Sequence, residues 1–153
     1  MQEYNDKRLV TSGHRTMLVM NKAVAGLTNL GISLMGSRVL SVRGRKSGEW
    51  RSTPVNLLKV DGQRYLVAPR GHTQWVRNLR ANSDGRLRVG RRIEMFQAVE
   101  LADAEKPEIL RAYLKKWAWE VGAFFGGDVK ADSSEETLLH VAPGFPVFKI
   151  TSA

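Results

Sequence analysis

Ser52-Thr53-Pro54-Val55-Asn56-Leu57-Leu58-Lys59-Val60-Asp61-Gly62-Gln63-Arg64-Tyr65-Leu66-Val67-Ala68 reads as two largely apolar runs that meet at Asp61-Gly62. Asp-Gly between such runs is a strong hairpin signal, because glycine tolerates the positive φ of a tight turn. The stretch predicts a strand over Ser52–Val60 and a return strand over Arg64–Ala68, stopped by Pro69-Arg70-Gly71. Short strands extend the pattern on both sides, at Arg38–Val42, Arg86–Val89, Ile93–Leu101 and Pro146–Thr151. Helices interrupt them. Gln74–Ala81 is one, and Pro107 sits where a first-turn proline belongs for a second reaching about Trp119. Ile109, Leu110, Tyr113, Leu114 and Trp117 give that second helix an apolar side, and Ser133–Leu139 reads as a short helix or turn. Several short, mostly antiparallel strands with a few helices predict an α+β, mainly β domain built on a small barrel.

Residues 1–15 are polar and read as a flexible N-terminus, followed by one domain over 16–153. That domain opens with an amphipathic helix over 16–35, in which Met17, Met20, Val24, Leu27 and Leu34 recur at helical spacing. Its apolar side suits a core element, a lid or a contact with a membrane surface. The absence of cysteine excludes disulfides and Cys-ligated zinc. His14, His72 and His140 lie too far apart in sequence for a histidine metal motif, so no metal is expected. Nor does the sequence show a clear membrane span or a signal peptide, which makes the cytoplasm the expected compartment.

The formal net charge is +9. Residues 43–92 hold thirteen Lys or Arg against three Asp or Glu, so the whole excess sits there. Such a concentration suits a polyanionic ligand, an anionic membrane surface or nucleic acid. At its start stands Gly44-Arg45-Lys46-Ser47-Gly48-Glu49-Trp50-Arg51-Ser52-Thr53-Pro54. Glycines let backbone N–H groups approach an anion, hydroxyls add donors, lysine adds a point charge and arginine a planar fork. The segment reads as an anion cradle. It lacks the spacing of a P-loop, and no GxGxxG occurs elsewhere.

The order of motifs is more specific than any one of them. Gly44 to Pro54 fits G-[RA]-K-[ST]-G-x-x-R-[ST]-T-P. Val67, Ala68, Pro69, Arg70 and Gly71 form a small-residue strand end with a glycine turn. Trp75, Asn78, Leu79, Ala81 and Asn82 fit W-x-x-N-[LV]-x-A-N, and Pro146-Val147-Phe148-Lys149-Ile150 supplies a closing strand. In this order the chain resembles the deazaflavin-dependent nitroreductases, the F420H2-dependent quinone and nitro reductases of actinobacteria. The resemblance runs over about residues 38–150. It implies a split β-barrel of the FMN-binding, pyridoxamine-phosphate-oxidase-like type. It also implies coenzyme F420, an 8-hydroxy-5-deazaflavin with an anionic ribityl phosphate and oligoglutamate tail, as hydride donor.

By the same resemblance, Lys46, Ser47, Gly48, Arg51, Ser52 and Thr53 hold the phosphate and tail, and Pro54 ends the loop. Val67, Ala68, Pro69, Arg70 and Gly71 lie along the ring, and Gln74, Trp75 and Asn78 contact the ring or ribityl chain. Trp119, Phe124 and Phe125 are the substrate-side residues. No catalytic side chain is assigned, although His72 sits in the glycine turn. The implied acceptor is a small quinone, with a nitro compound or enone as alternatives. The bridge Gly71-His72-Thr73-Gln74 is shorter than in the best-known relatives, so substrate range does not carry over. Two other readings remain open: an FMN-binding split-barrel reductase, and a basic nucleic-acid-binding module, for which no recognition motif is present. The sequence assigns no oligomeric state.

Overall fold

The computed structural model describes residues 4–10, 37–126 and 128–153. The helix expected at 16–35 lies outside them. Six strands close an antiparallel barrel in the order β1-β2-β3-β6-β5-β4. They are β1 (Ser37–Arg43), β2 (Trp50–Val60), β3 (Gln63–Val67), β4 (Asp84–Val89), β5 (Arg92–Glu100) and β6 (Val147–Ser152). Three helices accompany them: α1 (Gln74–Ala81), α2 (Pro107–Val121) and α3 (Glu135–Val141). The expected mainly β, α+β barrel is thus the observed one.

The chain divides into two compact units. In described residues, the strand unit comprises 37–57, 74–99 and 150–153, and the helical unit 4–10, 58–73 and 100–149.

In the strand unit, β1 pairs with β2 from Ser37↔Asn56 to Arg43↔Trp50, and with β4 from Val39↔Arg88 to Val42↔Gly85. β4 pairs with β5 from Asp84↔Gln97 to Val89↔Arg92. Side chains alternate between faces along a strand. Leu40, Val42, Leu87, Phe96 and Ala98 therefore share one face, and all are buried. Helix α1 packs on β1 and buries Val76, Asn78 and Leu79.

In the helical unit, the β2–β3 turn has Asp61 at φ 51 and Gly62 at φ 77. Two positive φ values at the central residues make it the twisted hairpin turn that Asp-Gly announces. Helix α2 begins at Pro107 and packs Ile109, Leu110, Tyr113, Leu114 and Trp117 into the core. Phe125 and Phe145 stack with centroids 4.0 Å apart and planes at 5°. Lys106, 3% exposed, donates from Nζ to Asp103 Oδ1 at 2.7 Å and to Ala142 O at 3.0 Å, so its buried charge is satisfied. Ser134 caps α3, its Oγ accepting from Thr137 N at 3.1 Å.

Two local expectations need correction. Strand β2 starts at Trp50, not Ser52, which puts Pro54 inside the strand opposite Val39 rather than at the end of a loop. The reason is that the preceding loop closes on itself by Glu49. Residues 4–10, part of the stretch expected to be loosely held, make specific contacts. Leu9 bridges to Gly71, and Arg8 is 5% exposed.

Candidate functional site

Strands β1 and β2 are joined by Gly44–Glu49, the first half of the cationic motif. Gly44 N donates to Glu49 O at 2.7 Å, Gly48 N to Gly44 O at 2.8 Å, and Glu49 N to Ser47 Oγ at 3.2 Å. Three backbone amides of the expected cradle are therefore engaged in closing the turn. The donors that face outward are side chains: Lys46, Ser47 and Arg51 are all exposed. Among the described residues, the side chains of Lys46 and Arg51 make no hydrogen bond or ion pair.

Arg45 docks this loop. Its backbone N donates to Asn78 Oδ1 at 3.1 Å, and its guanidinium donates to Asn78 Oδ1 and to Gln74 Oε1, each at 2.8 Å. Gln74 and Asn78 are four residues apart on α1 and so lie on one face of it. Asn78 is 4% exposed, and a buried amide oxygen needs such donors. The structure thus gives Gln74 and Asn78, expected at the coenzyme, the task of holding the cationic loop. Trp75, between them in sequence, is half-buried.

Strand alternation splits the rest of the expected set. Arg51 and Thr53 lie opposite Val42 and Leu40, on the face that carries the core residues. Trp50, Ser52 and Pro54 point to the other face. There Ser52 Oγ hydrogen-bonds Ser41 Oγ at 2.8 Å. The guanidinium carbons of Arg43 and Arg86 sit 4.4 and 3.5 Å from the Trp50 ring centroid. The side chains of Arg51 and Ser52 cannot meet one small anion through a strand, so the residues expected to hold the phosphate and tail fall on two faces.

In the helical unit, Val67 and Ala68 are 4% and 1% exposed and belong to the core, while Pro69 and Arg70 are half-buried. Val10 N donates to Arg70 O at 2.7 Å, and Arg70 Nε donates to Val10 O at 2.8 Å. Burial lowers the pKa of Arg70 from its usual value. Gly71, at φ 95, lies so close to Arg8 that a Cβ would come within 2.1 Å of the Arg8 carbonyl oxygen. Only glycine fits there. The Arg8 guanidinium donates to the carbonyls of Pro69 at 2.9 Å and Gly144 at 3.0 Å, and to that of Phe124. Its centre lies 4.2 Å from the Phe145 ring centroid. Burial lowers its pKa from the usual arginine value to about 10, with Tyr4 opposing the shift.

His72 is 4% exposed, and its Nε2 lies 3.2 Å from Asn5 O and 3.1 Å from Pro143 O. Two carbonyl neighbours fix the proton on Nε2 and hold it in a structural bond. Phe125 is fully buried in its stack, which leaves it no surface for a substrate, while Phe124 is half-buried. Trp119 lies in the last turns of α2, and the expectation for its side chain falls outside the described residues.

Sequence reasoning passed over Arg45 and Arg8. A signal for the first existed: Asn78 falls on the apolar side of α1 beside Val76 and Leu79, and a buried amide there implies a partner. Arg8 stands in a polar stretch without local pattern, and nothing marked it. Among the described residues no three His, Asp or Glu side chains gather as a metal site, and no helix is long and apolar enough to cross a membrane.

Three solved structures illustrate the fold. A protein described as a domain-swapped dimer is 18% identical at TM-score 0.55, covering 90% of this chain and 94% of its own. F420-H2 dependent reductase FDR-A is 19% identical at TM-score 0.50, covering 76% of this chain and 94% of its own. The protein Atu2129 of Agrobacterium tumefaciens is 14% identical at TM-score 0.54, and 86% of this chain matches 54% of that longer one. At such identities the likeness is one of fold. The sequence matches no curated protein. The sequence model of the family described as F420H(2)-dependent quinone reductase matches residues 13–121, more than two thirds of the chain. A cationic loop on a barrel suits a polyanionic coenzyme, and the chain belongs to this F420H(2)-dependent quinone reductase family, oxidoreductases that use coenzyme F420.

Proposed function

We propose that the loop Gly44–Glu49 and the start of β2 bind the phosphate and tail of coenzyme F420, and that the electrons pass to a small quinone. The observation that carries this reading is a cationic loop pinned by Arg45, with Lys46 and Arg51 exposed and unpaired among the described residues. Lys46 supplies a point charge, and Arg51 a fork that fits phosphate or carboxylate. The Ser47 hydroxyl, accepting from Glu49 N, still has its proton to donate. Thr53 shares the Arg51 face, and Gly48 closes the turn. Ser52, Pro54, Gln74 and Asn78 shape the loop and strand.

The ring assignment, Val67 to Gly71 with Trp75, rests on the sequence resemblance. Of the residues from Val67 to Gly71, Pro69 and Arg70 have surface to offer within their own unit. Trp119 and Phe124 are assigned to the acceptor. Once bound, the coenzyme supplies the hydride chemistry itself; the residues supply position and charge. The apolar spacing of Met17, Met20, Val24, Leu27 and Leu34 in the sequence suits a contact with the membrane surface, and 16–153 act as one domain.

The test follows oxidation of reduced coenzyme by a menadione-type quinone and by a nitroaromatic. Faster quinone turnover is expected, with kcat/KM reduced at least about tenfold in Arg51→Ala. An Arg51→Ala variant as active as the parent, or turnover confined to the nitro compound, contradicts it. Replacing Met17, Met20, Val24 and Leu27 by serine abolishes lipid binding if the helix makes the contact.

A further inference from the structure

Strand β5 carries an apolar row that the barrel does not cover. Phe96 and Ala98 point into the core of the strand unit at 0% and 9% exposure. On the opposite face, Ile93, Met95 and Val99 are 57%, 45% and 68% exposed. Gln97, between Met95 and Val99, donates its amide to Asp84 Oδ1. On the same face of β4, Arg88 stands opposite Ile93, Arg86 opposite Met95 and Asp84 opposite Gln97. The turn joining the strands adds exposed Arg91, while Arg92, the first residue of β5, pairs with Val89 and falls on the other face. Glu94 lies on the core-facing side and accepts from Ser152 Oγ at 2.5 Å, and Glu100 follows the row at its far end. The face therefore combines three exposed aliphatic side chains with three arginines, Arg86, Arg88 and Arg91, and one carboxylate held by Gln97.

We propose that this β4–β5 face docks on an anionic lipid surface. Aliphatic tips with arginines beside them match the headgroup boundary of a bilayer, where apolar atoms enter and guanidinium groups meet phosphates. A second copy of the chain is a poorer occupant, because a two-fold contact sets a net positive face against itself. Nucleic acid is poorer too. Stacking on bases needs exposed rings, and the face offers aliphatic residues, while the nearby Trp50 ring lies under Arg43 and Arg86. The inference stands on this face alone and does not need the reductase reading or the contact proposed for residues 16–35. If the acceptor is an apolar quinone, docking brings the enzyme to the phase that dissolves it.

The test is sedimentation of the full chain with vesicles of phosphatidylcholine alone and of phosphatidylcholine mixed with phosphatidylglycerol. Pelleting with the anionic vesicles, weakening as salt rises, is expected. The triple variant Ile93→Gln, Met95→Gln, Val99→Gln lowers partitioning about tenfold or more. The substitution Arg91→Gln lowers it by about fivefold at low salt. Both variants keep the parent's circular dichroism spectrum and melting temperature, which reports an intact fold. If the triple variant misfolds, Arg91→Gln, exposed on the turn, carries the test. Four results overturn the proposal: a parent protein that stays in the supernatant, variants that pellet as the parent does, a dimer that the triple variant dissociates, or DNA binding that persists at physiological salt and is lost in the triple variant.

Discussion

Two arginines hold segments of this chain in place, in contrasting surroundings. Arg8 is buried, and its guanidinium donates to the backbone carbonyls of Pro69, Gly144 and Phe124. Arg45 is exposed, and its guanidinium donates to the side-chain oxygens of Gln74 and Asn78. Carbonyls fixed in a core cannot follow a departing partner, and water does not replace it there, so Arg8 is a structural staple. The Gln74 amide is exposed to water and can rotate, so the Arg45 clasp on that side exchanges with solvent at low cost. A loop that receives an anion benefits from the second arrangement, which sets the position of Lys46 while leaving room to adjust. The contrast separates residues that determine whether the chain folds from residues that determine how tightly it binds.

The contrast breaks most easily at Arg8. Arg8→Met leaves three backbone carbonyls, one buried and two partly so, without their donor, with an expected loss of about 3 kcal/mol in unfolding free energy. A loss below about 1 kcal/mol in denaturant melts would mean the staple is idle. Because the folded pKa of Arg8, about 10, lies below its unfolded value, the unfolded state binds more protons between the two. Its contribution to stability therefore rises with pH only in that window and is flat below it. The Arg8→Met penalty measured at about pH 6 should equal that at about pH 9.

Next in size is Arg51→Ala, which lowers coenzyme affinity at least about tenfold and leaves the melting temperature close to the parent's. A stability loss without an affinity loss would move Arg51 into the class of Arg8. Asn78→Ala removes one acceptor from two donors of Arg45, so affinity falls about fivefold and stability by about 1 kcal/mol. Arg45→Ala sharpens the point: the family motif accepts either residue there, whereas the clasp predicts a loss of affinity of similar size. The smallest change is Gln74→Ala, about twofold, because an exposed hydrogen bond competes with water.

Much of the barrel was legible because Asp61-Gly62 and the period of two are local signals. The start of β2 was misread because Trp50-Arg51-Ser52 is polar on both faces and looks like loop. That misreading bears on the site: a loop can point Arg51 and Ser52 at one anion, a strand cannot. Lys46 and Arg51 were legible as free cations from composition and motif. Arg45 needed a tertiary partner that local sequence does not display, and Arg8 needed three carbonyls drawn from distant parts of the chain. Contacts of that range leave no period to read.

The most direct test titrates the purified protein with oxidised coenzyme F420 and, separately, with FMN, following ligand fluorescence at physiological salt. Binding of the deazaflavin at about micromolar or tighter, with FMN weaker, is the expected result. Binding of neither, or of FMN in preference, would contradict the assignment of the cationic loop to coenzyme F420.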